Sequence, residues 1–190
     1  VARLLAFSAL AMACLLWTTS LVAALCAMVV QGFVFFNCTV LLHEAIHDAV
    51  FAGRHPRLKR WLALAYAFPS GMSASQFTQW HLDHHDELGN PMADPKRHHL
   101  SPKRNSRLLK AAYWTFLLIP IYFRAARNEV ATYAPELRGK IAGERRAVIA
   151  GHLAIFALLW WAAGPRVALF AWCWRMSATA SRRGAGPATS

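Results

Sequence analysis

From Leu4 to Leu42 the sequence has no charged residue. No soluble fold offers a place for so long an uncharged run, and a single spanning helix needs only about 20 apolar residues. The stretch therefore predicts two consecutive apolar helices. The break between them falls at Trp17-Thr18-Thr19-Ser20, where an interfacial aromatic meets small polar residues. A secretory leader would begin in the same way, with Arg3, an apolar core and the small-residue run Ala11-Met12-Ala13-Cys14. The apolar run simply continues past that point, which argues for a membrane anchor instead.

Composition agrees. Apolar residues make up 56% of the 190-residue chain and charged residues 16%, against about 45–50% and 25% in soluble domains. The net charge is nevertheless +12. Nucleic-acid binding would explain the charge but not the grease, and it is set aside. A basic, apolar sequence of this kind reads as a polytopic, all-α membrane protein with Lys/Arg-rich cytoplasmic loops. About three to four spanning helices are expected, in an integral protein of a bacterial inner membrane.

Residues 52–107 hold Arg54, Arg57, Lys59, Arg60, Lys96, Arg97, Lys103, Arg104 and Arg107 and are assigned to the cytoplasm. Within them, Trp61 to Phe77 is interrupted by Pro69-Ser70-Gly71, so it should lie on or dip into the membrane surface instead of crossing it. Leu108 to Phe123 is apolar but short, contains Pro120, and is flanked by positive charge on both sides. It reads as interfacial or re-entrant, which leaves 124–146 cytoplasmic too. Ala147 to Ala163 reads as a span ended by Gly164-Pro165, and Val167 begins a further apolar helix that fades after Trp174. The domain is thus drawn over 1–176, followed by a low-complexity, disordered tail at 177–190. Cys14, Cys26, Cys38 and Cys173 all sit in apolar segments without a C-x-x-C pair and read as small buried hydrophobes.

Two histidine clusters carry the chemistry. His43-Glu44-Ala45-Ile46-His47 places two imidazoles at i, i+4 on one helical face, at the foot of the second apolar helix. His81, His84 and His85 repeat the pattern at i, i+3, i+4, on the same side of the bilayer. Taken alone, H-E-x-x-H is a zinc metalloprotease signature, with His43 and His47 as ligands and Glu44 as general base. A catalytic zinc uses about three protein ligands, however, and five histidines exceed that need. His98, His99 and His152 are weaker candidate ligands. Glu44, Asp48 and Asp94 are candidates for orienting the imidazoles by accepting ring N–H bonds.

The segments "HEAIHDAVF" and "WHLDHHDELGNPMADP", framed by apolar helices, resemble the histidine boxes of the membrane-bound fatty acid desaturases and their hydroxylase relatives, over about residues 20–165. The resemblance implies two iron ions held by His43, His47, His81, His84 and His85. It also implies dioxygen as co-substrate, oxidation of a C–H bond within a lipid acyl group, and electrons from a donor such as a ferredoxin or cytochrome. Desaturation and hydroxylation of a fatty acyl group, a sphingolipid or a carotenoid all stay open. The family pattern has a third H-x-x-H-H box after its last span. After His99 this sequence has only His152, so on this reading the polypeptide is a partial, inactive copy.

Overall fold

The computed structural model describes residues 1–47, 55–100, 106–112 and 118–181. Among them every regular element is helical: α1 (Ala2–Trp17), α2 (Leu21–Ile46), α3 (Pro56–Ala67), α4 (Ala74–Asp86), α5 (Pro95–His99), α6 (Arg107–Ala112), α7 (Leu118–Thr132) and α8 (Pro135–Ser181). The all-α expectation holds.

The break between α1 and α2 falls at Thr18–Ser20. Ser20 caps α2 by accepting from the backbone N–H of Ala23, satisfying one of the orphan donors of a helix start. Without a charged residue above Leu42, α2 is long and apolar enough to cross a bilayer, as is the Pro135–Ala171 portion of α8. At 16 residues, α1 is shorter, about 24 Å. Phe7, Leu10, Val22, Val29, Phe33, Leu153 and Trp161 are all exposed. In water such a surface would aggregate; in lipid it is the ordinary outer face of a helix bundle.

Inside the bundle the contacts are of the kind lipid requires. Apolar burial gives little drive there, so small residues and polar pairs hold helices together. Ala11, Ala24, Ala27 and Ala171 pack with Leu15 and Val167. Gln31, buried to 3% exposure, donates to Ser8 Oγ at 2.8 Å. Cys14 and Cys38 are half-buried and Cys26 is exposed, so none of the three is the fully buried hydrophobe expected from sequence. Cys26 faces outward from a helix whose buried stripe is Ala24, Ala27 and Gln31, and the side chain of Cys173 lies outside the described set.

A sharp bend divides α8. Gly164 has φ 84° and ψ 169°, a region essentially confined to glycine. A straight helix would hold His152 and Ala171 about 28 Å apart, yet both line one cavity of about 130 Å³. The helix therefore doubles back at Gly164-Pro165, the boundary expected from sequence. Arg166 fixes the bend to the first hairpin by donating to the carbonyls of Thr18 and Thr19 at 2.6 and 3.1 Å. Past the bend the helix runs to Ser181, beyond the residue-176 boundary drawn from composition; residues 182–190 lie outside the described set. Gly164→Ala should cost about 1–3 kcal/mol, read as a lowered unfolding temperature in detergent. Gly143→Ala, in open helical space, should be neutral or slightly stabilising. Equal behaviour of the two would mean that the bend relaxes freely.

The polar middle of the protein packs beneath α2. The α3–α4 connection turns at Gly71 (φ 69°), and Ser70 Oγ donates to the Phe35 carbonyl of α2 at 3.3 Å. Leu42 and Ile46 of α2 bury against Ala67 and Ala74. Of the segment 108–123, residues 108–112 belong to α6 and 118–123 to α7, and 113–117 lie outside the described residues. Ala125 and Ala126 of α7 close under Trp80 of α4, which keeps α7 beside the polar helices.

Candidate metal centre

The end of α2 and the middle of α4 meet, and their imidazoles converge. His43, His47, His81 and His85 each offer a ring nitrogen, and the four lie within 4.8 Å of one another. His47 Nε2 and His81 Nε2 are 2.8 Å apart. The rings stand edge-on, with centroids 4.5 Å apart for His43–His81 and for His81–His85. Nitrogens bound to one ion at about 2.1 Å would sit about 3–4 Å from each other, so a small inward shift completes a coordination sphere.

Electrostatics favour the ligand form. His81 is only 6% exposed. Burial first, and then the neighbouring His43 and the Lys96 ammonium, push its pKa down to about 3. A neutral imidazole keeps the lone pair that a metal needs.

His84 lies outside this quartet. Its Nδ1 is 2.8 Å from Asp94 Oδ1, and its ring centroid is 5.8 Å from that of His85. Asp94 is itself buried at 3% exposure. Burial raises its pKa, but the bonds from His84 and from the backbone N–H groups of Arg97 and Gly89 outweigh this and hold the carboxyl below its usual range. The same carboxylate caps α5 through the N–H groups of Lys96 and Arg97. Glu44 Oε1 lies 3.1 Å from His43 Nδ1.

The weaker candidates stand apart. His98 sits in α5, outside the quartet. Asp48 and the side chain of His99 lie outside the described set. His152 is buried in α8, donating from Nδ1 to the Val148 carbonyl at 2.6 Å and stacked on Phe68 at 4.4 Å. It lines an apolar cavity with Met12 and Phe35, not the one at the quartet. Gly151 permits that stacking, since a Cβ there would meet Phe68 at 2.7 Å.

A second cavity, of about 460 Å³, opens onto His43 and His81. Its apolar walls are Phe36 and Val40 of α2, Phe77 and Trp80 of α4, and Leu100, with Thr39, Glu44 and Lys96 as its other polar lining beside the histidines. It joins the apolar flank of a membrane helix to two of the four candidate ligands.

The support of α4 comes from residues that the histidine spacing does not reveal. Glu144 of α8 accepts from Ser73 Oγ (2.6 Å), the Ser75 N–H (2.9 Å) and Ser75 Oγ (2.6 Å). Arg145 donates through Nε and Nη2 to Gln76 Oε1 at 3.1 and 2.6 Å, and Gln76 Nε2 donates to the Ala126 carbonyl of α7 at 3.0 Å. A negative side chain at the first turn of α4 also suits the helix dipole. The Ser73-x-Ser75 start of α4 is a legible capping signal; its partner, some seventy positions away, is not.

The fatty acid desaturase family model matches residues 15–183, a range that contains both histidine clusters and all the apolar helices after α1. The chain belongs to the fatty acid desaturase family. Among curated proteins, the sphingolipid delta(4)-desaturase/C4-monooxygenase DES2 of Bos taurus is 33% identical over 64 residues, which is 33% of this chain. The match spans only 20% of that relative's length. No solved structure matches. Family membership and the two apolar helices long enough to cross a bilayer agree with a membrane protein.

Proposed function

We propose that this desaturase-family chain supplies the first two histidine boxes of a site that oxidises a C–H bond of a lipid acyl group with dioxygen, with iron held by His43, His47, His81 and His85. The observation that carries the reading is the convergence of four imidazole nitrogens within 4.8 Å, at a cavity walled by apolar residues of a spanning helix. Imidazole-rich sets suit iron, and the neutral state of His81 leaves a donor ready. Of the five box histidines, His84 remains for the second iron that the family uses, with Asp94 fixing its ring as outer carboxylates do. Bound iron would supply the electron-transfer chemistry by which dioxygen is reduced while the C–H bond is oxidised.

The protein's own residues supply the setting. Phe36, Val40, Phe77 and Trp80 would hold an alkyl segment and exclude water. Desaturation balances as an alkyl pair plus dioxygen, two electrons and two protons giving an alkene and two waters. Hydroxylation takes the same inputs to an alcohol and one water. A relative whose name couples a desaturase with a monooxygenase keeps both outcomes in play. The electrons would come from a donor such as a ferredoxin or cytochrome, docking on the cytoplasmic face to which the positive loops assign the histidines.

The zinc protease reading is the weaker one. Four converging imidazoles exceed the three protein ligands that leave a catalytic zinc open to water. Elemental analysis of the detergent-purified protein, loaded with equal iron and zinc, tests the choice. Iron retained at one to two per polypeptide is the expected result. Zinc at one per polypeptide, with peptide hydrolysis lost in Glu44→Gln, would overturn it.

A further inference from the structure

A groove of about 1,100 Å³ lies between the α3–α4 turn, α7 and α8, away from the four histidines. Arg124, Arg127 and Arg145 line its polar part, while Met72, Val148 and Ile149 line its apolar part. We propose that this groove binds the phosphate of an anionic phospholipid, with Arg124 and Arg127 as its primary contacts. The proposal rests on the membrane setting of the protein and not on its metal chemistry.

Three observations converge on it. First, the guanidinium groups are available. Arg124 and Arg127 are exposed, and among the described residues neither takes an acidic or hydrogen-bonding partner. Guanidinium forks match phosphate oxygens in pairs. Arg145 differs, since its Nε and Nη2 are spent on Gln76; it adds positive charge and rigidity more than a free fork. Second, the groove is amphipathic in the sense a phospholipid needs. Val148 and Ile149 belong to the α8 portion apolar enough to span, so acyl tails leaving the arginines pass directly onto a lipid-facing helix. Third, the position is right. Basic pockets beside membrane helices attract anionic head groups, and this one lies between α7 and the portion of α8 long and apolar enough to span.

The groove is also tied to the metal-site helix. Ser73 and Gln76 of α4 form part of its wall, and Gln76 joins Arg145 of α8 to the Ala126 carbonyl of α7. A bound phosphate would therefore add a brace to three helices that Gln76 already links.

Native mass spectrometry of the full-length protein, released from micelles holding equal phosphatidylglycerol and phosphatidylcholine, tests the assignment. The expected result is one phosphatidylglycerol retained per polypeptide, with affinity roughly thirtyfold weaker in Arg124→Gln/Arg127→Gln. Arg57→Gln/Arg60→Gln, which removes equal charge from α3, should bind as the unaltered protein does. If the double variant loses helical circular dichroism, the two single variants carry the test, each expected to weaken binding about fivefold. Unchanged phosphatidylglycerol binding in the arginine variants overturns the proposal, as does equal retention of phosphatidylcholine. Displacement of the lipid by millimolar inorganic phosphate would make the groove a free-anion pocket and overturn it as well. A double variant that keeps its lipid but loses an acidic protein partner would assign the groove to that partner instead.

Discussion

His81→Ala should abolish stable metal binding, with affinity lowered by more than about a hundredfold. Loss of an outer partner already costs about 10–100-fold, and His81 would be a direct donor at the centre of the quartet. Its ring contacts His43, His47 and His85, and it is the buried member of the four. Without it the site keeps His43 and His47 and the exposed His85, whose ring lies 5.0 Å from that of His47, and loses its buried member. His98→Ala and His152→Ala should retain metal, because neither side chain enters the quartet. Iron per polypeptide after dialysis against a competing chelator measures all three. Retention in His81→Ala, or loss in His152→Ala equal to that in His81→Ala, would mean that the converging nitrogens are not the ligands.

Glu144→Ala should be the most damaging substitution away from the histidines. The carboxylate accepts three hydrogen bonds from the start of α4. Removing it leaves two hydroxyls and a backbone N–H without their acceptor, beneath a helix that carries His81 and His85. Charge-assisted bonds are worth about 1.5–3 kcal/mol each but do not add, and the site is only partly buried. A loss of about 2–3 kcal/mol is therefore expected, seen as a lowered thermal midpoint in detergent. Metal affinity should fall with it, since α4 loses its fixed height against α2. Glu144→Gln, which keeps the shape and one acceptor oxygen, should fall between the two. An unchanged midpoint in Glu144→Ala would show that packing alone positions α4.

Much of this architecture is written in local pattern. The uncharged run above Leu42 and the Trp17–Ser20 break need only hydropathy and turn chemistry to read. Gly164-Pro165 announces the reversal in α8 for the same reason: one residue has access to positive φ and the next has no N–H to give. The histidine pairs are legible because i, i+4 spacing survives in any helix. Spacing does not decide which members of a cluster converge. At about 100° per residue, His84 and His85 flank His81 on opposite sides of α4. His85 turns toward α2, and His84 turns toward Asp94. That choice depends on where α5 begins, and no helical period encodes it. Glu144 with Ser73 and Ser75, and Arg145 with Gln76, are illegible for a different reason. They pair across about 70 positions, through a contact that exists only once α8 lies against α4.

That long-range anchor has a bearing on the order of events during synthesis. His43 and His47 leave the ribosome first, at the foot of α2, and His81 and His85 follow on α4. Yet the clamp that sets the height of α4 arrives with Glu144, after both histidine pairs have been made. The nascent polypeptide thus carries four candidate metal-binding side chains with no fixed enclosure until α8 enters the bilayer. Loading of a metal there would in this way be timed to the insertion of α8, and a polypeptide stalled before residue 144 would hold its histidines without the geometry to retain an ion.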